Sequence, residues 1–108
     1  MVQLVSETVW EKDFSKFPGL LVVDFYADWC GPCRSLAPFM ESVSKDHSWL
    51  KVIKVNSDDS PDLSSKFNIV SLPTIIFFVD GVEKARITGA NTQKILEVVA
   101  KFSPPQTE

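Results

Sequence analysis

The apolar run Leu20-Leu21-Val22-Val23-Asp24-Phe25-Tyr26 leads through Ala27-Asp28 into Trp29-Cys30-Gly31-Pro32-Cys33, and a helical pattern follows at once. This order constrains the fold most, because it requires a buried strand to deliver two thiols to the start of a helix. The run barely alternates, so it reads as a strand buried on both faces, as in a sheet covered by helices on each side. Beyond the motif, Leu36, Phe39, Met40 and Val43 recur at i, i+3, i+4 and i+7, which predicts a helix over about 32–46. Pro38 falls inside it and should kink it.

A thiol at a helix N-terminus meets unpaired amides and the positive end of the helix dipole, which favour the reactive thiolate. Cys30 holds that place, and Cys33 is near enough to close a small disulfide ring with it. They are the only cysteines among 108 residues. A domain of this length folds without a covalent staple, and a ring so short removes little unfolded-state entropy. The pair therefore reads as a redox couple.

The remaining pattern supplies further strands and helices. Val2–Val5 is a short first strand. Ser6 or Thr8 can cap a first helix, Thr8-x-x-Glu11 fitting a capping box, with Val9, Trp10, Phe14 and Phe17 on its apolar side and Pro18-Gly19 at its end. Val52–Val55 is a third strand, and Ser60-Pro61 opens a short helix to about Phe67. Thr74–Val79 and Glu83–Thr88 flank Asp80-Gly81, a strong hairpin signal. Asn91 or Thr92 caps a last helix with Ile95, Val98, Val99 and Phe102 as its inner stripe, and Ser103-Pro104-Pro105 stops it. The order β-α-β-α-β-α-β-β-α gives right-handed crossovers and then an antiparallel hairpin. An α/β fold follows: a mixed five-stranded sheet with about four helices on its two faces, in one domain over 1–108 with a polar tail at 104–108.

Composition narrows the function. The net charge is −3, and the 11 Lys and Arg residues form no run, which argues against a nucleic-acid partner. The apolar stretches are too short to cross a membrane. The first seven residues lack a basic leader with a long apolar segment, so the expected setting is cytoplasmic. Two thiols and a distant His47 do not make a four-ligand zinc set, so no metal is expected. His47, at the far end of the second helix, reads as a surface residue.

Taken alone, Asp24 is either a carboxylate on a wet strand face or one buried at a cost that raises its pKa. Pro73 can simply open a strand, and Gly89 can simply make a turn. Trp29 reads as core or as an apolar rim beside the nucleophile.

Val22-Val23-Asp24-Phe25 before Trp-Cys-Gly-Pro-Cys, then Leu72-Pro73-Thr74 and Gly89, resembles the thioredoxin family along almost the whole chain. The resemblance implies the thioredoxin fold and a protein-disulfide reductase active in electron transport and cell redox homeostasis. Cys30 is then the nucleophile, and Cys33 is the more buried thiol that resolves the mixed disulfide. Asp24 matches the family's buried aspartate, which takes the proton of the resolving thiol, and Lys54 matches the lysine whose charge lies near it. The Leu72-Pro73 bond is implied to be cis. Trp29, Gly31, Pro32, Leu72, Pro73, Gly89 and Ala90 form the implied substrate-binding surface. Gly-Pro between the cysteines looks like the reducing members, whereas oxidases and isomerases usually place a histidine there. Tyr26 stands where many members carry tryptophan.

The resemblance also implies a monomer with no bound cofactor. Its electrons would come from a thioredoxin reductase, an NADPH-dependent flavoenzyme, or by a ferredoxin-linked route. The implied clients are disulfide-containing proteins such as peroxiredoxins or ribonucleotide reductase. The competing readings are a metal site shared between two copies, a non-catalytic holdase or assembly subunit, and an oxidase or isomerase.

Overall fold

The computed structural model describes residues 1–104; the remainder of the expected polar tail, 105–108, lies outside the described residues. The elements run β1 (Gln3–Leu4), α1 (Glu7–Val9) continuing as a π-helical turn (Trp10–Phe14), β2 (Leu20–Tyr26), α2 (Gly31–Asp46), β3 (Leu50–Asn56), α3 (Pro61–Lys66), β4 (Thr74–Val79), β5 (Val82–Thr88) and α4 (Thr92–Lys101). The strands form one sheet in the order β1-β3-β2-β4-β5, parallel across β1, β3 and β2 and antiparallel from β2 to β4 to β5.

β2 lies at the centre, and its alternation divides the core. Leu20 and Val22 pack with Leu36, Met40 and Val43 of α2 and Ile95 and Val99 of α4. Leu21, Val23 and Phe25 pack on the other face with Trp10, Phe14 and Leu63. Asp24 follows Val22 by two residues and so shares the face covered by α2 and α4. The sheet is thus covered on both sides, as a strand as apolar as β2 requires.

Several local readings are corrected. Ser6, not Thr8, is the first N-cap, its Oγ accepting the Val9 amide at 3.3 Å. The Val5 amide still bonds the Lys54 carbonyl, so the chain remains extended up to Ser6 and turns into the helix one step earlier than Thr8. The helix ends at Phe14, ahead of Pro18-Gly19, and its last turn is widened by a Ser15 amide bond to the Trp10 carbonyl. β3 is longer than Val52–Val55, because Leu50 pairs with Leu20 and Asn56 with Tyr26 along the full length of β2.

The hairpin forms at Asp80-Gly81, whose φ values of 51° and 84° suit a two-residue turn with both central residues left-handed. Asp80 Oδ1 accepts the Gly19 amide at 2.7 Å, and its own amide donates to the Gly19 carbonyl at 3.1 Å, tying the hairpin to the entry of β2. A Cβ on Gly81 would stand 3.1 Å from the Ser15 carbonyl oxygen. Gly81→Ala is therefore expected to lose about 1–3 kcal/mol of stability, read as a lower urea midpoint at unchanged slope.

Candidate functional site

The thiols sit where β2 hands over to α2. Cys30 is the N-cap residue, with φ −84° and ψ 111°, and its Sγ accepts the Cys33 amide at 3.2 Å. Its carbonyl accepts the Arg34 amide at 3.1 Å, the first turn of the helix. Gly31 and Pro32 occupy that turn, where the missing proline amide leaves no intrahelical bond unmade. A sulfur at the cap of a sixteen-residue helix receives that amide and faces the dipole's positive end, both of which favour a thiolate. Cys30 and Cys33 are joined as a disulfide, with Cα atoms 5.2 Å apart.

The two cysteines are nearly equal in residue exposure. Cys30 is 4% and Cys33 3% exposed, so the expected greater burial of Cys33 is not visible in this oxidised form. They differ in their neighbours. Cys33 faces a pocket of about 240 Å³ whose lining includes Asp24, Tyr26, Arg34 and Lys54, whereas Cys30 is absent from that lining.

Asp24 is 5% exposed, so the wet-face alternative fails. Its Oδ1 has no hydrogen-bond partner. Burial pushes its pKa from 3.8 up to about 7, and the Lys54 ammonium pulls partly against that rise. Lys54 is its register partner on β3. Even so, no Asp24–Lys54 ion pair forms within 4 Å. Lys54 Nζ instead lies over the Tyr26 ring, 5.7 Å from its centroid. The Tyr26 phenol is itself raised, first by burial.

The expected docking residues are only partly gathered around the sulfurs. Leu72 and Tyr26 pack against Ala27, Cys30 and Cys33. The Leu72-Pro73 bond is cis, and Pro73 is buried. Gly89, at φ 95°, donates its amide to the Pro73 carbonyl at 2.8 Å, placing the β5–α4 turn beside it. Ala90 follows and is exposed, as is Pro32. Trp29 stands 68% exposed rather than in the core, its indole Nε1 donating to Asp58 Oδ2 at 2.8 Å.

Asp58 is a residue that sequence reasoning missed. It lies 29 positions from Trp29, and only the Asn56 side chain gives a local clue. Asn56 Oδ1 accepts the amides of Asp58 and Asp59, forming the turn that carries Asp58. Arg34 was also missed; its guanidinium donates to the Asp28 carbonyl at 2.8 Å and braces the motif. His47 is half-buried rather than on the surface, with Nδ1 2.9 Å from the Val43 carbonyl oxygen and its ring edge-on to Trp49.

This geometry can hold a thiolate at a helix cap, and it sets a carboxylate of near-neutral pKa in the same pocket as the second sulfur. That is the equipment for thiol–disulfide exchange. No helix among the described residues is long and apolar enough to cross a membrane.

Comparison with known proteins agrees. The Thioredoxin family model matches residues 1–101. The M-type chloroplastic thioredoxin of Pisum sativum is 37% identical over 94% of this chain and 60% of its own length. A thioredoxin of Rickettsia bellii is 38% identical over 89% of this chain and 92% of its own. Among solved structures, Plasmodium falciparum thioredoxin superposes with a TM-score of 0.89 at 33% identity, covering 94% of this chain and 100% of that one. The chain spans about 60% of the length of the chloroplastic and mitochondrial relatives it matches first.

Proposed function

The chain belongs to the thioredoxin family, and from that premise we propose that it is a dithiol–disulfide oxidoreductase that reduces disulfides in other proteins. The observation that carries this reading is the pairing of Cys30 at the cap of α2 with Cys33 in the pocket of Asp24. In the reduced form the Cys30 thiolate attacks one sulfur of a client disulfide. A bond forms between Cys30 and that sulfur, and the other client sulfur leaves as a thiolate. Cys33 then loses its proton to the Asp24 carboxylate, through water in a pocket large enough to hold it. The Cys33 thiolate attacks Cys30 Sγ and releases the second client thiol. The client disulfide has gained two electrons, and Cys30–Cys33 has lost them.

Asp24 is the proton acceptor in this scheme, and Lys54 modulates it. Trp29, Gly31, Pro32, Leu72, Pro73, Gly89 and Ala90 form the docking surface. Client backbone would be held at Leu72 by strand-like hydrogen bonds, a mode indifferent to client side chains. The exposed face of Trp29 supplies the largest apolar contact. Trp29→Ala is expected to raise KM about fivefold, equivalent to ~1 kcal/mol of lost contact, at unchanged kcat.

The proposed partners are a thioredoxin reductase, NADPH-dependent and flavin-containing, and disulfide-bearing clients, ribonucleotide reductase and peroxiredoxins among them. A solved neighbour with TM-score 0.86 and 25% identity comes from work on thiol resolution in a yeast mitochondrial 1-Cys peroxiredoxin by glutathione and thioredoxin systems, which supports a peroxiredoxin client. The protein is read as a single-domain monomer over 1–108, binding no cofactor of its own. Its proposed setting is a reducing compartment, the cytoplasm. The Gly-Pro pair and a reductant's chemistry support a reducing setting.

The test is reduction of insulin disulfides with a small dithiol as electron source. Wild-type protein is expected to accelerate precipitation of the freed chains at micromolar concentration. A rate no higher than that of the dithiol alone would overturn the proposal.

A further inference from the structure

Asp24 and Lys54 face each other across β2 and β3 in register, and opposite charges so placed should close into an ion pair. They do not. Tyr26, two residues beyond Asp24 on the same strand face, takes the ammonium instead, with Lys54 Nζ 5.7 Å from the ring centroid. The Lys54 side chain thus leaves β3 with a carboxylate and an aromatic face both in reach, and its ammonium stands over the ring.

We propose that Tyr26 is a positioning residue for the exchange reaction: its ring holds the Lys54 ammonium and keeps it off the Asp24 carboxylate. The inference rests on the reading of Asp24 as proton acceptor for Cys33. A carboxylate closed into an ion pair is held ionised far below neutral pH and binds a proton too weakly to accept one from a thiol. A carboxylate left unpaired in the pocket can take that proton and return it. The unpartnered Asp24 Oδ1 and its raised pKa agree with the second state.

The other ionisable groups around the pocket are placed differently. Asp28 is exposed on the loop after β2. From α2 come Cys33, in the disulfide, and Arg34, which donates to the Asp28 carbonyl. Burial raises the Tyr26 phenol, a hydrogen bond with the Asn56 side chain offsets part of that, and Asp28, Asp24 and Asp59 add to the rise. Tyr26 is therefore a neutral ring at working pH. Its hydroxyl is not needed to hold the cation, so phenylalanine should replace it.

The test follows the Asp24 carboxyl carbon by NMR titration of the oxidised protein. Tyr26→Leu is expected to lower the Asp24 midpoint by about one pH unit as Lys54 swings across. Tyr26→Phe is expected to leave it where it is. On a Lys54→Met background, Tyr26→Leu is expected to produce no lowering. An unchanged midpoint in Tyr26→Leu, or an equal drop without the lysine, would overturn the proposal; the latter would mean the ring only shields Asp24 from water. If Tyr26→Leu does not fold, the Lys54 ε-methylene protons decide. They should be displaced upfield by the ring in wild type and in Tyr26→Phe, and unshifted protons would sink the idea. These readouts need no turnover. Should Asp24 prove dispensable for catalysis, the lysine placement would still stand or fall on its own.

Discussion

Cys30→Ser is expected to reduce disulfide reduction to the uncatalysed background, and Cys33→Ser to leave a protein that attacks once and stays attached to its client. The difference follows from the placement of the two sulfurs. Cys30 caps α2 and receives the Cys33 amide, so it is the sulfur whose thiolate the helix stabilises. Without it no bond to the client forms, and a loss of at least ~10³-fold in turnover is expected, in line with removal of a covalent nucleophile. Without Cys33 the first step survives and the second has no attacking sulfur. Mass spectrometry of Cys33→Ser mixed with an oxidised client should show one covalent adduct through Cys30, cleaved by excess dithiol. An adduct through Cys33 in the Cys30→Ser protein, and none in Cys33→Ser, would reverse the assignment.

The second large effect belongs to Asp24. Its carboxyl is ionised above about pH 4 in the unfolded chain but holds its proton to about pH 7 in the fold. Between those values the folded state binds the extra proton, so stability falls as pH rises, and the penalty becomes constant above about pH 7. Asparagine cannot ionise. Asp24→Asn should therefore be more stable than wild type at pH 8, by at most on the order of 4 kcal/mol, with the gap closing toward pH 4. The same substitution removes the proton acceptor for Cys33. Resolution of the mixed disulfide at pH 8 should slow by about ten- to a hundredfold and lose its inflection near pH 7. Urea unfolding and stopped-flow resolution rates across pH 4–9 measure both. A variant that is less stable at pH 8, or one that resolves at the wild-type rate, would contradict this account of the carboxylate.

These two predictions draw on features the sequence displayed unevenly. The dithiol, the buried run of β2 and the Asp80-Gly81 hairpin were legible because each is a local pattern: a short spacing, a continuous apolar stretch, a turn needing two left-handed residues. The inner stripes of α2 and α4 were equally plain from their helical period. Asp24 was ambiguous by periodicity alone, since one polar residue in an apolar strand marks either a wet face or a buried charge. Only the packing of α2 and α4 over that face settles it.

What remained hidden is tertiary. Ser6 prevails over Thr8 as the cap because pairing of Val5 with β3 fixes where the chain can leave the sheet. The ends of β3 are set by the length of β2, not by their own polar residues Lys51 and Asn56. Trp29 finds Asp58 across 29 residues, and Lys54 chooses a ring over the carboxylate it faces. No spacing rule encodes either choice.

The equilibrium reduction potential of the Cys30–Cys33 pair, measured against a glutathione buffer, tests the central claim most directly. A helix-capped thiolate with Gly-Pro between the cysteines, serving as a reductant, predicts a value clearly below the glutathione poise of roughly −220 to −260 mV. A value well above that range would mean a disulfide that oxidises its partners, and the protein would be an oxidase or isomerase instead.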